Sequence, residues 1–152
     1  MATTQDEVIN RMTIARDNAR EEILLDGFVD FVSFNQVHRH VMRQHPSATV
    51  SDVQAETLEM IRSIVTEGLF ELGDRAGENG CFAAWEEPLE VSMQKLYDAY
   101  VTHFNNRPGW VWCCWLNETD KGERLVLSTE RGKQLAQEVD ERLREARDAN
   151  PS

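Results

Sequence analysis

The sequence predicts an α+β fold, mostly helical, with two β-hairpins and a C-terminal helix. Apolar residues recur every three to four positions in five separate stretches, the mark of amphipathic helices. Between them lie short apolar runs bounded by Gly, Asn and Asp, the pattern of strands and turns. A length of 152 residues with 41% apolar and 28% charged side chains suits one core. No repeat or linker divides the chain, so 1–152 reads as a single domain. Within it, 1–32 form an N-terminal helix and lead-in, and 33–87 a helix-turn-helix plus the first hairpin. Residues 88–148 follow as a helix, a second hairpin and a C-terminal helix, and 149–152 as a frayed tail.

The first helix runs from Asp6 to Leu25 on Val8, Met12, Ala15, Ala19 and Ile23, with Gly27 placed as its C-cap. Ser33 and Gln36 have capping-box spacing, and Phe34, Val37 and Val41 make one face of a second helix that stops at His45 and Pro46. Ser51 and Gln54 repeat that spacing before a third helix on Val53, Leu58, Ile61, Ile64 and Val65, ending at Gly68. "LFELGD" and "CFAAW" then pair across "DRAGENG" as the first hairpin. Pro88 begins a fourth helix carrying Leu89, Met93, Leu96, Tyr97, Tyr100 and Phe104. The run "WVWCCWL", 110–116, reads as a strand covered on both faces, with Trp110 and Trp112 on one side and Trp115 on the other. "ERLVLS" returns as its partner strand, and Ser128 or Thr129 caps a last helix on Leu135, Val139 and Leu143.

A formal charge of −11 and an acidic isoelectric point repel phosphate backbones and favour basic partners. No stretch reaches the roughly 18–20 apolar residues of a membrane span, and "MATTQDEVINRM" lacks the basic-then-apolar order of a signal peptide. Three cysteines, two of them adjacent, suit reduced thiols. These features place the protein in the cytoplasm.

Three helices followed by a strand, a loop and a strand resemble the winged-helix arrangement, so the core is expected to be winged-helix-like. "RLVLSTERGKQLAQEV" is similar to the strand-to-helix exit of multiple-antibiotic-resistance-type winged-helix regulators, although here a whole helix, 88–104, intervenes after the first hairpin. The steps "GLFELGD" and "GCFAAWEEPLE" and the Trp-rich run resemble small acidic bacterial proteins of uncharacterised or immunity-type role. That resemblance implies a partner-binding function and assigns no residue. A DNA-reading helix supplies basic and amide side chains to bases and phosphates. The third helix instead carries Asp52, Glu56, Glu59 and Glu67 against Arg62.

The expected function is therefore a non-enzymatic neutraliser of a basic partner protein such as a toxin, in the manner of an immunity protein or antitoxin. Its expected contact surface is Glu71, Asp74, Glu78, Trp85, Glu86, Glu87 and Glu90, a tryptophan ringed by carboxylates. The alternative is a winged-helix transcription regulator that contacts DNA through "NQVHRHVMRQH", where Arg39, His40 and Arg43 form a basic patch without an acid. His38 and His40 lie two apart on a helix, a spacing that does not ligate one ion, and with His45 they read as a solvated face. No metal, cofactor or catalytic motif is expected: there is no HExxH, Walker loop or GxGxxG, and nothing in the spacing sets a base beside a nucleophile.

Overall fold

A computed structural model describes residues 3–76 and 79–149. Its elements are α1 (Thr3–Val29), β1 (Val32–Ser33), α2 (Phe34–Gln44), α3 (Val50–Thr66), β2 (Phe70–Ala76), β3 (Cys81–Ala84), α4 (Leu89–Tyr97), a π-helical turn (Asp98–Thr102), α5 (Arg107–Val111), β4 (Trp115–Glu118), α6 (Asp120–Leu127) and α7 (Glu130–Ala149). This is an α+β fold, mostly helical. The four strands form one antiparallel sheet in the order β1-β4-β2-β3.

The inner half of α1 buries Ala15, Ala19 and Ile23, whereas Val8, Ile9, Met12 and Ile14 on its outer half are exposed. Gly27 is not a cap but lies inside this helix. A Cβ there would stand 2.6 Å from the Phe70 ring and 2.8 Å from a Glu118 oxygen, so its bare backbone lets α1 cross closely over the sheet.

Ser33 and Gln36 form the expected capping box: Gln36 N donates to Ser33 Oγ, and Ser33 N donates to Gln36 Oε1. At α3 the cap is Thr49 rather than Ser51, and its Oγ1 accepts from Asp52 N. Gly68, at φ +75°, closes α3: its N–H donates to Val65 O, and that of Leu69 to Ile64 O. This is the two-bond Schellman arrangement. The hairpin β2–β3 forms as expected, with Gly73 opposite Ala84 and Ala76 opposite Cys81.

Beyond α4 the chain departs from expectation, and no second hairpin forms. "WVWCCWL" is divided between two elements. Pro108, in the first turn of α5, sets helical backbone angles, and the Trp110 indole Nε1 donates to Phe104 O. Trp110 is thereby sunk against Phe34 and Tyr100, and the run becomes a strand only from Trp115. There, β4 pairs with β1 on one side and β2 on the other. "ERLVLS" is α6 and not a strand. Thr119 Oγ1 accepts from Gly122 N to start it, and of the apolar trio only Val126 is buried, with Leu125 and Leu127 exposed. Thr129 caps α7, accepting from Gly132 N. Of the expected tail, Ala149 ends α7 and the remainder lies outside the described residues.

The core gathers α1, α2, α3, α4 and α5 around Phe34, Tyr100 and Trp110, and meets the sheet through Phe70, Leu72 and Leu116. Among the described residues no helix is long and apolar enough to cross a membrane.

Candidate functional site

Two surfaces carry the residues singled out in the sequence. The first is the acidic edge where β2, the end of β3 and the start of α4 meet. Here Glu71, Trp85 and Glu87 border an open groove of about 340 Å³ floored by Val65, Leu72 and Leu89. Trp85 is half-buried and fixed at both ends. Its backbone N–H donates to Leu72 O at 2.9 Å and its indole Nε1 to Asp74 Oδ2 at 2.8 Å, while Lys95 Nζ lies 3.8 Å from the ring centre. Cation–π contact of this kind holds the lysine over the indole face.

The carboxylates of this edge are not equivalent. Lys95 and the Ser92 hydroxyl both donate to Glu87, and the lysine's hydrogen bond draws the Glu87 carboxyl below its ordinary range. Glu90 accepts from Arg62 of α3, which lowers its pKa in the same way. Asp74 is committed to the indole. Glu71 and Glu86 are exposed and have no cationic partner among the described residues. Glu78 lies outside the described residues. The edge is therefore less negative than its sequence, because Arg62 of α3 and Lys95, further along α4, neutralise it locally.

The second surface contains the basic segment, α2. Arg39 and Arg43 are exposed, one turn apart and without a carboxylate partner among the described residues. His40 differs from them: its Nε2 meets Asp26 Oδ2 at 2.6 Å. The expectation that the histidines share a solvated face is corrected at His38, which is buried. Its Nδ1 lies 2.5 Å from the Tyr100 hydroxyl, its ring packs on Trp110, and burial followed by the nearby Arg107 lowers its pKa. The cations that balance α3 come from α1: Arg16 pairs with Glu56 and Arg20 with Glu67.

Beside Arg39 lies a cluster that sequence reasoning did not assemble. Trp112 is 60% exposed and stacks on Trp115, with ring centres 5.6 Å apart. Arg75 of β2 places its guanidinium 4.9 Å from the ring centres of both Trp115 and Phe31, and Phe31 stacks on Phe82. Strand alternation had put Trp112 with Trp110 and away from Trp115. The break between α5 and β4 reverses this, burying Trp110 and joining Trp112 to Trp115.

One further group stands apart in chemistry. Glu118, at the end of β4, is buried between Gly27 and Gly122 with neither carboxylate oxygen hydrogen-bonded among the described residues. Desolvation, with a smaller contribution from Glu123, pushes its pKa up to about 8. Among the described residues no three His, Cys, Asp or Glu side chains are grouped to hold a metal ion. In comparisons with known proteins, no family model, curated protein or solved structure matches this chain.

Proposed function

We propose that this chain is a non-enzymatic, cytoplasmic protein-binding module that neutralises a basic partner, in the manner of an immunity protein or antitoxin covering a basic cleft. The observation that supports it is the acidic edge itself. A half-buried indole is held rigid by Asp74 and Lys95 beside a groove bordered by Glu71, with Glu86 free next to it. A fixed aromatic anchor with carboxylates around it suits a basic surface, and a net charge of −11 speeds its approach. The three free cysteines fit a reducing compartment.

The test is affinity capture of the tagged chain from its own cells at low and moderate salt, beside a Glu71→Lys, Glu86→Lys double variant. A near-stoichiometric basic protein, lost on raising salt and lost with the double variant, is the expected outcome. Retention by the double variant, or indifference to salt, overturns the reading.

A second reading, a DNA-binding regulator, is favoured by one observation: Arg39 and Arg43 are exposed on α2 without carboxylate partners among the described residues. A mobility shift of duplex DNA abolished by Arg39→Ala, Arg43→Ala would put it in first place.

A further inference from the structure

We propose that the open groove between the end of α1, the start of α2 and the Trp112–Trp115 stack binds a nucleotide, a planar ring carrying an anionic group. The groove has a volume of about 540 Å³ and is lined by Phe31, Asn35, Arg39, Arg75, Trp112 and Trp115, with Asp26 and Asp30 at its α1 side. That volume falls within the roughly 300–1,000 Å³ of small-ligand sites.

The unmet interactions of these residues define the occupant. Both acids are already engaged: Asp26 accepts from Gln36 and meets His40, and Asp30 Oδ1 accepts from Phe31 N. Both arginines lack a carboxylate among the described residues, Arg75 giving its Nε to Gly80 O and Arg39 standing exposed. The formal charges of the groove balance, two arginines against Asp26 and Asp30, and the two guanidiniums are the groups left to meet an anion. Trp112 offers the second feature. One face is taken by Trp115, and its large exposure leaves area for another flat ring, the way single-stranded nucleic acids are held on aromatic platforms. Asn35 supplies the third, since its Oδ1 has no donor among the described residues. That oxygen is buried, so a base N–H reaches it only if the amide turns toward the groove.

A ring alone would satisfy the tryptophan and leave Arg39 unpaired, and a phosphate alone would do the reverse. The two together distinguish a nucleotide from a simple anion. This site lies apart from the acidic edge, and either proposal can fail without the other.

Titration calorimetry of the full chain with AMP, adenosine, ribose 5-phosphate and an eight-residue oligo(dA) tests the proposal. Saturable binding of AMP is expected, with adenosine and ribose 5-phosphate each weaker by about tenfold or more. Trp112→Ala and Arg39→Ala, both at exposed positions, are each expected to weaken AMP by about tenfold. Affinity for oligo(dA) well beyond its eight-fold statistical advantage identifies a single strand as the source, and affinity at or below it identifies the free nucleotide. Absence of saturable binding by both AMP and oligo(dA), or binding that survives both substitutions unchanged, overturns the assignment. Capture of the basic partner by Trp112→Ala is expected to match the unaltered chain.

Discussion

The Tyr100 hydroxyl joins three elements, and its partners fix which way each proton points. Thr57 Oγ1 donates to Val53 O, so it accepts from Tyr100, and the Tyr100 oxygen is left to accept from His38 Nδ1–H. His38 accordingly carries a proton on Nδ1, and its burial disfavours a second one on Nε2. Tyr100→Phe keeps the ring packing but strands the buried His38 donor, and is expected to lower stability by about 1–3 kcal/mol with an unchanged denaturant m-value. Glu118 presents the opposite problem, a buried carboxyl that has no donor among the described residues. Glu118→Gln is expected to gain on the order of 3 kcal/mol relative to the native chain between pH 5 and pH 8.5, measured by denaturant melts at both. The capping box at Ser33 was legible in the sequence because both partners lie within one turn. The pair Arg62–Glu90 was not, since it becomes a contact only when α3 and α4 meet, and Lys95–Glu87 was not, since Glu87 folds back from before the α4 cap rather than lying at a helix i,i+4 spacing.

At the scale of elements, α1 has two halves with different physics. The inner half is core, while residues 4–14 are exposed throughout. A chain starting at Met12 is therefore expected to keep its unfolding free energy to within about 1 kcal/mol, since residues 4–11, which it removes, are all exposed. Gly27→Ala is the contrasting change. Its new methyl group would meet Phe70 and Glu118, and denaturant melts should show a loss of about 1–3 kcal/mol. Helix periodicity made α1 to α4 and α7 legible, because each has a continuous apolar face over several turns. It failed in "WVWCCWL" and "ERLVLS" because a run of six or seven residues fits more than one period. The deciding features were Pro108 and the Thr119 cap, which act through backbone geometry rather than hydrophobicity.

Across the whole molecule, His38 and Glu118 pull stability in opposite directions with pH. A lowered histidine pKa means that the unfolded chain takes up a proton first, so stability is lost as pH falls below about 6.5. A raised carboxyl pKa means that the folded chain holds a proton the unfolded chain has released, so stability is lost as pH rises from about 4.5 to about 8. Just below pH 6.5 the two oppose each other, and above it Glu118 acts alone. Thermal melts are expected to show a shallow acid side and a decline from about pH 6.5 to 8, which Glu118→Gln removes. The net charge was readable from composition, but its distribution was not: the clamps Arg16–Glu56, Arg20–Glu67 and Arg131–Glu22 spend cations on tying α1 to α3 and α7. The central place of β4 also sets an order of events in synthesis. Strands β1 and β2 meet only through β4, which leaves the ribosome about forty residues after the hairpin strand it pairs with. Until then the nascent chain carries two open strand edges, and the hairpin waits for a late segment to join it to the rest.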